Sequence, residues 1–346
     1  MKGDLVINGT AVARGDRQTI DLPAGRLYTH APINTPVHVV RGRKDGPRLF
    51  VSAAIHGDEI NGVEIIRRLL ANKLLKRMRG SVLAMPVVNV HGFINRTRYL
   101  PDRRDLNRMF PGSERGSLAA RLASLFMGEV VANATHGIDL HTGAIHRSNL
   151  PQIRANLDDP TTREMATTFG APVMLNSDLR DGSLRQAAAD AGVPMLLYEA
   201  GEALRFDEVS IRVGVSGILE VMRHLGMLPP STRRRKKATE PVEARSSAWV
   251  RAPQSGILRS VKTLGDRVGK GTTLGWVSDP FGDGREAITS PGSGVIIGRL
   301  NMPLAYEGDA LYHIARFGQA GDAHQVEATS SALEDDFEAG GEPPLV

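Results

Sequence analysis

The chain has no cysteine. Disulfides, thiol nucleophiles and thiolate metal sites are therefore excluded, and any bound metal must be held by His, Asp or Glu. No stretch approaches the ~18 apolar residues that a membrane span requires. The opening Met1-Lys2-Gly3-Asp4 has no apolar run behind it of the kind that marks a secretory signal. A cytoplasmic protein with no membrane partner fits these absences. Also missing are a Gly-x-Ser-x-Gly elbow, as serine hydrolases use, and a Gly-rich phosphate loop ending in Gly-Lys-Ser/Thr. Gly282-Asp283-Gly284-Arg285-Glu286-Ala287 superficially resembles a dinucleotide fingerprint, but it lies in a β-rich region with no helical pattern after it.

What is present suffices for a large core. At 346 residues, 41% of them hydrophobic, the chain is long for one domain, and two are expected. The net charge of +5 is unevenly spread: residues 229–247 carry +4 and residues 317–346 carry −7. Such blocks are usually solvated segments. No motif for reading nucleic acid accompanies them, so nucleic acid is not expected as a partner.

Alternating patterns run through residues 36–228. Strand-like runs at 36–42, 48–55, 82–90, 137–140, 172–175 and 195–199 alternate with helical spacing at 60–77, 118–134, 159–169, 183–191 and 206–225. Strands alternating with helices predict an α/β domain, residues 1–228, with a sheet covered on its faces. A basic linker at 229–247 follows, opened by Pro229-Pro230. Residues 248–316 then read as short strands punctuated by Gly and Pro, a small all-β unit. Within it Ala252-Pro253-Gln254-Ser255-Gly256-Ile257 is echoed by Ser290-Pro291-Gly292-Ser293-Gly294-Val295. Such doubling resembles the barrel-sandwich shape of lipoyl and biotinyl carrier domains, but Asp279–Glu286 contains no lysine to carry a cofactor. The acidic residues 317–346 are expected to be disordered.

Four short motifs carry chemistry. His56-Gly57-Asp58-Glu59 stands where a strand ends and a helix begins, and the carboxyl ends of strands are where open α/β sheets bind ligands. Imidazole and carboxylate ligands suit zinc, and a catalytic zinc needs three protein ligands plus an open position. A third ligand is expected at a neighbouring strand end. His141, in Asp139-Leu140-His141-Thr142-Gly143, fits that place, with His91, His136 and His146 as competitors. His136 precedes the strand and His146 lies past the Gly143 turn, so both are worse placed. Asp105-Leu106-Asn107-Arg108 offers an amide beside a guanidinium fork, the geometry that grips a carboxylate at two points, or else a plain surface loop. Arg96, Arg98, Arg103 and Arg104 make this segment strongly basic, a funnel for an anion or a solvated face. Finally, Glu199 ends an apolar strand in Leu197-Tyr198-Glu199-Ala200-Gly201-Glu202. A carboxylate there is costly without a partner, but beside a metal and a water molecule it can move protons. Glu202, its rival, lies past the Gly201 turn and is expected to face solvent.

Taken along the chain, His-x-x-Glu, then Asp-x-Asn-Arg, then Asp-Leu-His, then a strand-terminal Glu, the motifs resemble the succinylglutamate desuccinylase/aspartoacylase family, a branch of the zinc carboxypeptidase clan. The resemblance extends over residues 36–316. It implies a zinc-carboxypeptidase-like mixed α/β sheet flanked by helices, followed by a small all-β barrel-sandwich-like domain. It implies one Zn2+ per chain held by His56, Glu59 and His141, and Glu199 as general base and acid. Asn107 and Arg108 match the pair that holds the substrate carboxylate. Arg98 looks like the arginine that polarises the scissile carbonyl, and Tyr306 matches a tyrosine that reaches the substrate from the C-terminal domain. The implied reaction is hydrolysis of the amide of a small N-acyl amino acid, the small-molecule partner of the chain; a homo-oligomer is left open. The acyl group is also open between acetyl, succinyl and others, with acetylated diaminobutyrate one family-level candidate. The alternatives are a metallocarboxypeptidase acting on peptide C-termini with the same zinc site, and a non-catalytic binding module.

Overall fold

The computed structural model describes residues 5–177, 181–231 and 241–339. Its centre is four parallel strands, Arg79–Met85, Lys44–Ala53, His136–Gly143 and Met195–Glu202, side by side in that order. Antiparallel strands extend them on both sides. Pro32–Arg41 and Arg17–Arg26 lie beyond Arg79–Met85, and Arg147–Ala155 lies beyond Met195–Glu202.

The parallel strands are apolar on both faces because both faces are covered. Successive side chains of a strand point to opposite sides. In Lys44–Ala53, Leu49, Val51 and Ala53 enter one core, and Phe50 enters the other. The first core packs the helices Asn61–Ala71, Pro160–Phe169 and Glu208–His224, through Ile65, Ile66, Leu69, Phe169, Ile211 and Ile218 among others. The second packs Leu118–Glu129 and Leu184–Asp190, through Leu122, Phe126, Leu184 and Ala188. Helix starts follow from side chains that accept orphan backbone N–H groups. Ser117 caps Ala120, Asp159 caps Thr162, Ser183 caps Gln186 and Asp207 caps Ser210. The helix expected over 60–77 is broken at Asn72, whose extended backbone separates Asn61–Ala71 from a 3-10 turn at Lys73–Arg77.

The C-terminal strands differ from a free-standing unit. Gly294–Leu300 pairs with Arg147–Ala155, and Ala310–Arg316 and Ser246–Arg251 follow it, so the central sheet runs on into the β-rich region. A second, four-stranded antiparallel sheet packs there around Leu258, Leu274, Val277, Leu311 and Tyr312. A composition shift marks the texture change but carries no information about which edge strand pairs with which. Of the expected linker, 232–240 lies outside the described residues. Val242–Ala244 is a strand paired in parallel with Val173–Asn176.

The tail corrects another expectation. Ala320–Ala339 is a helix, not a disordered segment. Ala323, Val326 and Ser330 are buried at helical spacing, and Ala323 and Val326 pack with Leu150, Val295 and Ala315. The acidic charge lies elsewhere on the helix, and so narrow a stripe of small residues is masked by it in composition. Residues 340–346 are outside the described residues.

Phe126 is fully buried, with its ring edge-on to Phe50 at 5.8 Å and to Phe110 at 6.0 Å. Phe126→Ala should destabilise the fold by ~3–5 kcal/mol. Urea unfolding should show the midpoint drop with an unchanged slope.

Candidate metal centre and active-site cleft

The alternation that builds the core also builds the site. In His136–Gly143, Ile138 and Leu140 point into the core beneath the Asn61–Ala71 helix, which turns Asp139 and His141 to the other side. In Met195–Glu202, Leu196 and Tyr198 do the same, and turn Leu197 and Glu199 to the side of His141, with which Glu199 is in register. His56 follows the neighbouring strand Lys44–Ala53. Its turn is tight: Ala54 has left-handed φ, and Glu59 N–H donates to the His56 carbonyl at 3.1 Å. Gly57 has to be glycine, because a Cβ there would lie 1.9 Å from the carbonyl carbon of Gly92.

The turn brings Glu59 between two imidazoles. Its Oε1 is 2.7 Å from His56 Nδ1, its Oε2 is 2.8 Å from His141 Nδ1, and Thr142 N–H donates to Oε2 at 3.1 Å. The far nitrogens are held by carboxylates: His56 Nε2 by Asp105 at 3.1 Å, and His141 Nε2 by Asp139 at 2.7 Å. Ser52 donates to the other oxygen of Asp139 at 2.7 Å. Burial alone would raise the Glu59 carboxyl, but the two histidines outweigh it and hold it well below the usual carboxylate range. Burial alone would lower His141; Asp139 and Glu59 reverse that and raise it well above an ordinary histidine. Asp105 is likewise held low against burial, by His56 and Arg98.

These side chains fit a metal. His56, Glu59 and His141 are all buried, and one ligand atom from each lies within 4.8 Å of the others. Two imidazole nitrogens and a carboxylate oxygen suit zinc and leave a position open. Carboxylates on the far ring nitrogens are the outer partners that orient metal-bound histidines.

Around the centre lies a cleft of about 670 Å³ that brings together His56, Glu59, Arg98, Asn107, Arg108, His141 and Glu199. Arg98 holds Asp105 through Nε and Nη2, at 3.2 and 2.9 Å, and its Nη1 reaches to 3.4 Å from Glu59 Oε1. Asn107 accepts the N–H of Leu184 at 2.9 Å, which ties the Asn107-Arg108 turn to the start of a helix. Glu199 is held at both oxygens, by Asn149 Nδ2 at 2.7 Å and Arg154 Nε at 2.6 Å. Five arginines line the cleft, Arg98, Arg108, Arg147, Arg154 and Arg185, against the two carboxylates of Glu59 and Glu199. An anion is the ligand such a lining favours.

Other sequence candidates fall outside. Tyr306 is 79% exposed and does not line the cleft; its N–H donates to Asp309. His91, His136 and His146 do not line it either. Glu202 is buried, not solvent-facing: it accepts from His146 N–H, Ser148 Oγ and Asn301 Nδ2, and so ties the strand end to the C-terminal region. Sequence reasoning missed Asn149, Arg154, Trp249 and His313. The first two sit on Arg147–Ala155, which has no clear strand pattern, and the last two on strands beyond the linker.

Comparison with known proteins places the chain. Residues 45–225 match the succinylglutamate desuccinylase/aspartoacylase catalytic domain. The chain belongs to this family. One relative, the N-alpha-acetyl-L-2,4-diaminobutyric acid deacetylase of Halomonas elongata, is 26% identical over 253 residues, 70% of this chain and 74% of that protein. The crystal structure of succinylglutamate desuccinylase/aspartoacylase from Rhodobacter sphaeroides matches with a TM-score of 0.79 and 25% identity, covering 88% of this chain and 96% of that one. The product-bound ectoine utilization protein EutE (DoeB) from Ruegeria pomeroyi shares the fold at a TM-score of 0.77 and 21% identity, covering 87% and 95%. No described helix is long and apolar enough to cross a membrane.

Proposed function

We propose that this chain is a zinc-dependent amidohydrolase that removes the acyl group from a small N-acyl amino acid. The observation that carries the reading is the convergence of His56, Glu59 and His141 with Glu199, from adjacent strand ends, on one arginine-lined cleft. The kinship with deacylating hydrolases supports it.

His56, Glu59 and His141 would hold the ion. Zinc bound there supplies Lewis acidity, which lowers the pKa of a water molecule toward ~7 and polarises the acyl oxygen. Asn107 and Arg108 grip the substrate carboxylate and set its distance from the scissile bond, so that orientation selects the substrate. Glu199, fixed by Asn149 and Arg154, takes a proton from the attacking water as the new C–O bond forms. It then delivers that proton to the departing nitrogen as the C–N bond breaks. Arg98 faces the charge that develops on the acyl oxygen.

Ser247, Trp249 and His313 from the C-terminal strands wall the cleft. That wall favours small substrates over peptides and speaks against the carboxypeptidase alternative. The diaminobutyrate deacetylase relative makes an acetylated amino acid the first substrate to try.

Glu199→Gln should retain its zinc and lose turnover by about a thousandfold or more, measured by amine release beside metal analysis. Normal hydrolysis by this variant would exclude the mechanism. Arg108→Ala should raise KM chiefly for substrates carrying the anchored carboxylate, by ~10–100-fold. Equal loss on uncharged amides would remove its assigned role.

A further inference from the structure

The C-terminal strand Gly294–Leu300 touches the side chain that holds Glu199. Gly298 stands in register with Asn149 on Arg147–Ala155 and, across its other edge, with His313 on Ala310–Arg316. Asn149 is buried, and its Nδ2 donates to Glu199 Oε1 at 2.7 Å. A Cβ on Gly298 would lie 2.9 Å from Oδ1 of the same amide, 3.0 Å from His313 Cβ and 3.5 Å from Trp249 Cη2. The side chain missing at 298 thus leaves the space that the back of the Asn149 amide needs while its front faces Glu199.

The same segment reaches the Met195–Glu202 strand a second time. Just past Leu300, Asn301 Nδ2 donates to Glu202 Oε2 at 2.7 Å and to Ser148 Oγ at 2.6 Å, and Asn301 N–H donates to the His146 carbonyl at 2.7 Å. Glu202 closes its strand three residues beyond Glu199 and is itself buried. Strand pairing fixes where a backbone runs but leaves a carboxylate free to turn. A group that moves protons works only within hydrogen-bond reach of its partners, and a displacement of ~1 Å can cost about a hundredfold in rate.

We propose that Gly298 and Asn301 are positioning residues for Glu199, so that the C-terminal β-rich region takes part in proton transfer as well as walling the cleft. The inference rests on the deacylase reading for its reaction, and on contacts alone for the clamp. Gly298 acts through Asn149, and Asn301 acts through Glu202 at the end of the same strand. In Gly298→Ala the cheapest relief is to turn the Asn149 amide, a side-chain end, while the backbone stays in place. The cost then falls on the hold on Glu199 and not on the fold.

Zinc-loaded full chains test it, with amine release measured from a panel of N-acetyl and N-succinyl amino acids. On any substrate the wild type accepts, Gly298→Ala should lower kcat ~10–100-fold, with KM within about threefold and the zinc retained. In the Asn149→Ala background the same substitution should cost less than about threefold more, because the contact it disturbs is already gone. Equal losses in both backgrounds would mark a merely structural role and overturn the inference. A second readout needs no turnover: the side-chain amide signal of Asn149 in the NMR spectrum of a chain isotope-labelled at asparagine, assigned by its loss in Asn149→Ala. That signal should move in Gly298→Ala in the direction in which Glu199→Ala moves it. Should Gly298→Ala not fold, Asn301→Ala, at an exposed position and with its backbone bond kept, is held to the same fall in kcat and the same signal shift. Wild-type kcat, or an unmoved Asn149 signal, in the folded variant overturns the clamp and leaves the deacylase reading intact. If the wild type hydrolyses nothing in the panel, the deacylase reading fails, and the Asn149 signal alone decides the clamp.

Discussion

The site depends on one buried carboxylate. Glu59 is 2% exposed, and a charge in that position is costly unless it is fully engaged. Its two oxygens are shared between His56 and His141, with the Thr142 N–H as a third partner. The histidines can serve only if their rings are fixed, and Asp105 and Asp139 fix them from the far side. Arg98 then offsets Asp105. The chain of compensation runs from Glu59 outward until it reaches the arginine-lined cleft. A metal entering between the three ligands would meet donors already oriented for it.

That arrangement holds only because the strands are in register. Ala53 pairs with Leu140, and His141 with Glu199, so three consecutive strand ends present the proposed ligands and proton carrier at one level. The same sheet continues through Arg147–Ala155 into the C-terminal strands, so the β-rich region completes the cleft instead of merely sitting beside it. One surface thus joins the proposed catalytic groups to the wall from the C-terminal strands. Gly57 and Gly298 mark where backbone and side chains must come closer than a Cβ allows.

How much of this the sequence discloses follows from the range of each interaction. The α/β core is legible because alternation and helical spacing are local. His56, Glu59, His141 and Glu199 are legible because each falls at the end of an apolar run. Asp139 and Asp105 stand inside the very motifs that attract notice, but their role as outer partners appears only with the histidine ring orientations. Asn149 and Arg154 are hidden because their strand mixes polar residues with Pro151 and gives no clean period. Trp249 and His313 depend on pairing across more than a hundred residues of chain, which local patterns cannot reveal. Glu202 departs from its expected exposure for a related reason. Position after a turn does not decide burial, and Asn301 and Ser148 close over Glu202 while Tyr306 is left outside.

The central claim concerns what His56, Glu59 and His141 hold. A zinc K-edge X-ray absorption spectrum of the protein purified without added metal tests it most directly. The expected result is scattering from two imidazole rings and oxygen neighbours at about 2.0–2.2 Å, with the imidazole scattering reduced by one ring in His141→Ala. A spectrum with no imidazole scattering, or one unchanged by that substitution, would contradict the proposed centre.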